Sequence, residues 1–481
     1  MAELSTRSEA DSMGEVCVSK DAMYGAQTQR AIDNFKLSDM RLPKSFILAL
    51  AQIKKAAAQS NANLKLLSPE FADAIVAAVD EVLAGRHADQ FPVDVFQTGS
   101  GTSTNMNMNE VIAAISRQRS QLELHPNDHV NLGQSSNDVI PTAIQISTVS
   151  QIQTHLVPEF RSLIWAIEEK SQALSQVVKT GRTHLMDAMP ISFGQELSGW
   201  ASQLQLGISN LEKYMLSMAG LPQGGTAVGT GINTHELFAE QFCENLNNNL
   251  RSSTEIELQP SLEPQPKKEP QQIIKFQPCD NFFSAISSQD LSVGLSGHLR
   301  VLATSLYKIS TDLRWMNSGP LSGLAEIKLA ALQPGSSIMP GKVNPVIPEA
   351  VSMACAQVVG NDATISMAGM SGNFQLNTML PVIAYNLLQS IELLSNSAAH
   401  LNEHCITNFL VNTEQVAKNL EQNPILVTAL APTIGYEAAA KIAKKAYQTG
   451  KSVFEIAKQE TDISEQRLRE LLDPLNLTKQ F

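Results

Sequence analysis

Apolar residues recur at intervals of three and four over many long stretches of this chain, which is the spacing of one face of an α-helix. The first two predicted helices run from Ser45 to about Leu64 and from Pro69 to Gly85. Longer stretches follow at about 139–174, 192–218, 288–316, 345–360 and 377–400. Helices of this length are stable mainly through packing against one another, so the pattern predicts a long helical bundle.

Prolines suggest where the helical pattern is interrupted. Pro141 falls in the first turn of the 139–174 stretch, where proline is tolerated, and Pro158 predicts a kink. Residues 251–272, in which prolines alternate with Glu, Gln and Lys, are predicted to form a solvated loop or a partly disordered excursion. We therefore predict a mainly all-α chain in three parts. These are a mostly helical N-terminal domain over 1–133, a central long-helix bundle over 134–409 and a small C-terminal helical domain over 410–481.

Three polar, glycine-containing segments stand beside these helices. Residues 97–105 and 133–138 each lead into a helical pattern, where hydroxyl groups either cap the helix or help to bind an anion at its positive end. Residues 333–345 contain Pro334, Pro340 and Pro345 and cannot form a helix. That segment is either a plain connection or a shaped loop that carries chemistry.

Composition narrows the class of protein. The 481 residues are 43% hydrophobic and 17% charged, as in soluble globular proteins, and the net charge of −12 argues against nucleic acid and anionic membranes as partners. The five cysteines are scattered without a C-x-x-C pair, so neither a disulfide framework nor a cysteine metal site is predicted. No secretory signal or membrane span is visible, and a cytoplasmic location is the expectation.

Sequence blocks spread over nearly the whole chain resemble the fumarase/aspartase superfamily, and within it the class II fumarases. The blocks are GAQTQR (25–30), TGSGTSTNMNMNE (98–110), HPND (125–128), GQSSND (133–138), GRTHLMDA (181–188), QGGTAVGTG (223–231) and GSSIMPGKVNP (335–345). An aspartase usually has Gln in place of His184 and Ala in place of Gly341. The resemblance implies a homotetramer with a shared helical core, active sites built from three subunits, and no cofactor.

The resemblance also assigns catalytic roles. Ser336 matches the family's base, a role that requires loop N–H groups and Lys342 to stabilise the alkoxide. Lys342 also matches the group that binds the substrate carboxylate. His184 matches the family's active-site histidine, and Glu349 matches its carboxylate partner, which would fix the imidazole tautomer and raise its pKa. These four residues form the predicted catalytic set.

A second set of residues is predicted to bind the substrate's carboxylates and water: Ser100, Thr102, Asn105, Ser135, Ser136, Asn137, Thr183 and Asn344. By resemblance, the HPND block (His125, Asn127 and Asp128) is a second, non-catalytic dicarboxylate site. The basic residue often found just before that block is replaced here by Gln-Leu-Glu-Leu. A metal site at His125 and His129 is disfavoured because Pro126 disrupts helical i,i+4 geometry, so no metal is predicted.

The activity that this resemblance implies is the reversible, metal-independent hydration of fumarate to L-malate by trans addition of water. Two alternatives remain: removal of ammonia from aspartate, and a non-catalytic scaffold that retains the family fold. His184 and Gly341 argue against the first alternative, and the intact catalytic set argues against the second.

Overall fold

The computed structural model of this chain describes residues 5–257, 274–335 and 337–479. Helices dominate it, which confirms the predicted mainly all-α fold. The elements up to residue 151 are β1 Thr6–Asp11, β2 Gly14–Ser19, α1 Ala26–Asn34, α2 Lys44–Asn63, α3 Pro69–Leu83, α4 Thr102–Ser120 and α5 Ser136–Gln151.

The middle of the chain holds the longest helix, the 27-residue α10. Its elements are α6 Val157–Ala173, β3 Val178–Thr183, β4 Met186–Ser192, α7 Phe193–Met215, β5 Gly220–Leu221, α8 Phe238–Glu257, β6 Gln277–Pro278, α9 Phe282–Ser287 and α10 Asp290–Met316.

Two further long helices precede a series of shorter ones. These elements are β7 Ile327–Lys328, α11 Val346–Gly369, β8 Gly372–Asn373, β9 Leu376–Asn377, α12 Leu380–Leu401, β10 Leu410–Val411, α13 Thr413–Glu421, α14 Ala431–Ile434, α15 Tyr436–Thr449, α16 Val453–Glu460, α17 Glu465–Leu471 and α18 Pro474–Leu477.

Two of the predicted boundaries were wrong. Helix α11 passes the expected stop at Gly360 and continues to Gly369, because Val358 and Ile365 are both buried and packing outweighs the low helix propensity of glycine. Residues 251–257 were predicted to start the 251–272 loop but belong to α8, which extends to Glu257. The helix can continue this far because the first proline of the segment is Pro260. The rest of that predicted loop, residues 258–272, lies outside the described residues.

At the kink predicted for Pro158, the structure has a change of helix type. A π-helical turn, Ile152–Leu156, separates α5 from α6 immediately before this proline. A proline removes one i→i−4 hydrogen bond and its ring clashes with the preceding turn, and a wider turn accommodates both effects.

The chain divides into two compact units. The first unit contains Met1–Val157, Ser209–Val301 and Gln357–Leu394, and the second contains the remaining three segments, Pro158–Ile208, Leu302–Ala356 and Ser395–Phe481. The division falls within α6, α7, α10, α11 and α12, and for α6 it leaves only Val157 in the first unit. The three-domain division remains a prediction.

Helix α2 lies at the centre of the first unit. It packs against α3, α5 and α8, and its side chains Phe46, Leu50 and Ile53 are completely buried. Burying each such side chain stabilises the fold by roughly 1.5–3 kcal/mol. This central position matters because α2 also carries a buried lysine, described below.

The C-terminal part of the second unit has its own apolar core. Leu430, Ile442, Ile456 and Leu468 are among its buried members, contributed by α15, α16, α17 and the turn before α14. Val178, at the start of β3, packs against this core. The core thus holds one end of the β3–β4 hairpin.

The strands are short and pair two at a time. Among the described residues they form five two-stranded sheets, of which only β5–β6 is parallel.

None of the helices in the described part of the chain is both long and apolar enough to cross a membrane.

Candidate functional site

The first polar segment closes tightly onto the start of α4. Gly101 precedes the helix with a left-handed φ of 72°, and the hydroxyl groups of Ser100 and Thr102 are 2.8 Å apart. A Cβ atom at Gly99 would lie 1.8 Å from the carbonyl oxygen of Thr378, so only glycine fits there. Helix α4 begins at Thr102, inside the polar segment 97–105 that was predicted to lead into it.

The second polar segment caps α5. The Ser135 hydroxyl accepts a hydrogen bond from Asn137 N (3.2 Å), and Ser135 N donates to Asp138 Oδ1 (2.9 Å), which forms a capping box. The second oxygen of Asp138 accepts from the N–H groups of Gly224 and Thr226. The start of α5 is thereby tied to the QGGTAVGTG block, a link that sequence spacing does not reveal.

Side-chain amides join these two segments. Asn105 Nδ2 donates to Ser136 Oγ (3.1 Å) and to Asn131 Oδ1 (3.2 Å), and Asn109 Nδ2 donates to the same Asn131 oxygen (3.2 Å). Lys54 Nζ donates to that oxygen as well, at 2.9 Å. Its second acceptor is Gln134 Oε1, at 3.0 Å. We call the six residues Lys54, Asn105, Asn109, Asn131, Gln134 and Ser136 the amide cluster.

Two ionisable groups are buried at this cluster. Burial lowers the pKa of Lys54 to about 7, and the charge of Asp138 partly opposes that shift. Burial raises the pKa of Asp138 to about 6, against the hydrogen bonds from three backbone N–H groups and the charge of Lys54. Lys54 is not among the site residues predicted from the sequence. Its signal was a charged residue at a core position of an otherwise apolar face, next to the buried Ile53.

The HPND block forms a π-helical turn, Pro126–Val130, capped by His125. His125 Nδ1 lies 3.2 Å from the donor Asp128 N and 3.1 Å from Asp128 Oδ2, so its tautomer decides which contact is a hydrogen bond. His129 stacks on Phe71 and accepts a hydrogen bond from His125 N. These histidines therefore make their contacts within the turn and with Phe71. The side chain of Asn127 is exposed. The second dicarboxylate site stays a prediction.

In the second unit, His184 occupies the tip of a β-hairpin. Thr183 pairs with Met186, so His184 and Leu185 form a two-residue turn with φ values of 56° and 60°. Both φ values are positive, as a type I′ turn requires, although neither residue is glycine. Non-glycine residues held in this region store strain, which is typical of functional sites. The side chains of Thr183, His184 and Leu185 are exposed.

Buried ion pairs hold the hairpin behind its tip. Lys179 Nζ lies 2.8 Å from both Glu196 Oε2 and Glu326 Oε2, and Arg182 Nη1 lies 2.8 Å from Glu326 Oε1. Lys179 and Glu326 are almost fully buried, whereas Glu196 is partly exposed. We call these four residues the ion-pair cluster. Sequence reasoning missed it, since its members are up to 147 positions apart (326 − 179).

The 333–345 segment is a loop, as predicted, among its described residues. Gly335 N donates to the carbonyl oxygen of Lys342 (3.0 Å), and Asn344 Nδ2 donates to the carbonyl oxygen of Gly335 (2.8 Å), which closes the loop at its base. The Lys342 side chain is exposed. Ser336, the predicted base, lies outside the described residues.

Glu349 lies in the first turn of α11 and is half-buried. No hydrogen bond or ion pair joins it to His184 among the described residues of one chain. The chain thus brings Asn105, Ser136 and their neighbours together in its first unit. In its second unit, His184, Lys342 and Glu349 lie on three different elements, the hairpin, the loop and α11.

One group of side chains among the described residues has the composition of a metal site. The ligand atoms of His400, Glu403 and His404, at the end of α12 and in the turn that follows, lie within 4.8 Å of one another. None of these residues belongs to the predicted catalytic or binding sets.

Comparisons with known proteins place this geometry in a family. A family model described as Lyase matches residues 14–360, and one described as Fumarase C C-terminus matches residues 426–479. The chain is 50% identical to Fumarate hydratase class II 2 of Pseudomonas aeruginosa over 98% of both chains. It is also 50% identical to Fumarate hydratase class II of Xylella fastidiosa strain Temecula1, over 98% of this chain and 95% of the relative.

Among solved structures, the class II fumarase from Schistosoma mansoni matches with a TM-score of 0.93 and 38% identity, over 98% of this chain and 99% of that one. The fumarate lyase:delta crystallin from Brucella melitensis bound to cobalt matches with a TM-score of 0.89 and 41% identity, over 99% of this chain and 100% of that one. The full-length similarity confirms the resemblance carried by the sequence blocks. The chain belongs to the class II fumarate hydratase family.

Proposed function

We propose that this chain catalyses the reversible hydration of fumarate to L-malate. The observation that carries the proposal is the 50% identity, over 98% of both chains, to a protein named as a class II fumarate hydratase. The amide cluster supports it, because the starts of α4 and α5 present hydroxyl and amide donors at two helix N-termini, where anions are favoured.

The reaction needs a base for a weakly acidic C–H bond beside a carboxylate and positive charge for the anion that develops. We assign the base to Ser336 and the stabilising cation to Lys342, whose exposed side chain leaves it available to a ligand. Asn344 orders the loop through Gly335 and contributes to carboxylate binding. We assign the transfer of the added water's proton to His184, with Glu349 as the partner of its imidazole.

Substrate binding is assigned to two groups of donors. Ser100, Thr102, Asn105, Ser136 and Asn137 lie at the starts of α4 and α5, and Ser135 caps α5. Thr183 precedes the strained tip of the hairpin, next to His184. These groups would hold the two carboxylates and the water in a fixed orientation, which lowers the entropic cost of the reaction.

We propose that the active chain is a homotetramer in which three subunits share each site. Helix α11 supports this assembly, because Met353, Met367 and Met370 at and just beyond it expose more than two-thirds of their surface in the single chain. Exposed apolar surface of this kind marks protein interfaces. A dyad formed between subunits would also account for the lack of a contact between His184 and Glu349 among the described residues of one chain.

A cytoplasmic location is part of the same proposal. All five cysteines are free, and three of them are buried. Free thiols are typical of a reducing compartment.

The test is fumarate formation from L-malate, followed by ultraviolet absorbance with and without a chelator. We expect turnover that the chelator does not reduce, and no turnover of aspartate. Turnover of aspartate alone would identify an ammonia-lyase. A purified protein that turns over neither compound and binds no dicarboxylate would identify a scaffold.

A further inference from the structure

Lys54 is a buried cation without a contacting counter-ion. Its side chain is completely inaccessible, and its ammonium group donates to two neutral amide oxygens, of Asn131 and Gln134. Among the described residues, no carboxylate lies within ion-pair distance of Lys54, and Asp138 acts on it only through space. Burying a charge in this way is costly. A methionine of similar length would avoid that cost, so the cation calls for a functional explanation.

The ammonium group fixes the orientation of its neighbours. Because it can only donate hydrogen bonds, Asn131 must turn its oxygen towards Lys54 and its Nδ2 towards the carbonyl oxygen of Gln134, 3.1 Å away. That oxygen then accepts from Asn105 Nδ2, and the same nitrogen donates to Ser136 Oγ. Each link in this series allows one amide orientation only.

The series ends at a hydroxyl group. Since Ser136 Oγ accepts from Asn105, its own proton is directed away from that contact and is available to an acceptor outside the cluster. The oxygen of Asn105 is buried and has no hydrogen-bond partner among the described residues, so it can receive a donor such as a bound water. The arrangement presents one donor and one acceptor at the proposed substrate site.

The charged groups around Lys54 do not contact its ammonium group. Asp138 on α5 acts on it through space, and because burial raises the pKa of that carboxyl group to about 6, it carries its negative charge above that pH. Four ionisable groups on the other elements packed against α2 have partners of their own or stay neutral. They are Asp80 on α3, paired with Lys55; Glu110 on α4, bonded to residues 25–28; the buried thiol Cys243 on α8; and His129, stacked on Phe71.

We propose that Lys54 is a positioning residue for the dicarboxylate site, which orients Asn105 and Ser136 through Asn131 and supplies the positive charge that a bound dianion neutralises. This inference rests on the proposed function, in which Asn105 and Ser136 bind substrate. It predicts that dicarboxylate binding favours the charged form of Lys54, so that binding takes up a proton above about pH 7.

Three variants separate orientation from charge. Lys54→Met removes both, and Lys54→Gln keeps a donor for Asn131 but no charge. Lys55→Met is the matched control, since it removes one positive charge from the neighbouring position, where Lys55 pairs with Asp80 at the surface. We expect Lys54→Met to raise KM for L-malate roughly tenfold to 100-fold with a smaller change in kcat. Lys54→Gln should lie between Lys54→Met and the wild type, and Lys55→Met should match the wild type.

The second measurement uses the wild-type tetramer and does not depend on the folding of any variant. Calorimetric titration with succinate, which cannot react, at pH 8 in two buffers of different ionisation enthalpy reports the protons exchanged on binding. We expect net proton uptake by the wild type and by Lys55→Met, and loss of that uptake in Lys54→Gln.

The outcomes separate the two proposals. A wild type that neither turns over L-malate nor binds succinate overturns the proposed function and this inference with it. An active wild type that shows no proton uptake, or a folded Lys54→Gln variant with unchanged KM and unchanged uptake, overturns the role of Lys54 alone.

Discussion

The amide cluster and the β3–β4 hairpin are organised in opposite ways. In the cluster, Asn105 and Ser136 are buried and hydrogen-bonded to side chains of the same chain. At the hairpin tip, His184 is exposed, strained in its backbone and unpaired with Glu349. A single chain completes the first arrangement and leaves the second open. We infer that the cluster forms its hydrogen bonds within one chain, whereas the proposed pair of His184 and Glu349 needs a partner chain to form.

The largest effect is expected for a substitution in the 333–345 loop. Ser336→Ala should lower kcat at least about 10³-fold, because no other group is assigned to remove the C–H proton. Succinate affinity should change little, since most of the residues assigned to binding lie at the starts of α4 and α5. Steady-state kinetics and calorimetry measure the two quantities. Ser337→Ala, in the same loop, is the control; an active Ser336→Ala variant would remove Ser336 as the base.

His184→Asn tests the hairpin tip. Asparagine adopts positive φ readily, so the turn should persist while acid–base chemistry is lost. We expect kcat to fall roughly 10²–10⁴-fold with an unchanged melting temperature. Leu185→Asn is the matched control in the same turn, and it should keep its activity. Equal losses in both variants would show that the turn's shape matters and the imidazole does not.

Glu326→Gln tests the ion-pair cluster behind the hairpin tip. It leaves the partly exposed Glu196 as the remaining carboxylate in contact with the buried Lys179 among the described residues, and it removes the charge that pairs with Arg182. We expect the free energy of unfolding to fall by about 3 kcal/mol, as for other broken buried ion pairs. Denaturant titration measures this change. Glu196→Gln should cost less because that carboxylate is partly solvated, and a reversed order would contradict the assigned role of the ion-pair cluster.

The cluster makes a prediction about pH. The pKa of Lys54 is about 7 in the folded chain and lies near 10.5 when unfolded, so between these values the unfolded state binds more protons. The stability of the wild type relative to Lys54→Met should therefore rise with pH from about 7 to 10, by at most about 1.4 kcal/mol per pH unit. Denaturant titrations of both proteins across this range check the slope. A flat difference would mean that the ammonium group is not desolvated.

The smallest effect is expected at the HPND turn. His125→Ala removes an exposed side chain whose contacts stay within the turn. We expect kcat and KM for L-malate to stay within about twofold, as for most surface substitutions. A large rise in KM would show that this turn contributes to the substrate site.

Local patterns in the sequence determined much of the fold. Apolar spacing located α2, α3, α7, α10 and α12 within a few residues, and it predicted α5 and α6 as one stretch, because each helix buries a continuous face. Three prolines with Gly335 and Gly341 determined that 333–345 is a loop, since their backbone limits hold in any context. The sequence blocks determined the family and the candidate catalytic residues.

Tertiary structure alone decided what connects these parts. The hairpin turn contains His184 and Leu185 in place of the usual glycine or asparagine, so no local signal announces it. The roles of Lys54 and Glu326 depend on partners far away in the sequence. Burial and hydrogen-bond orientation arise only when segments distant in sequence pack together, and the spacing of residues along the chain does not predict which segments do so.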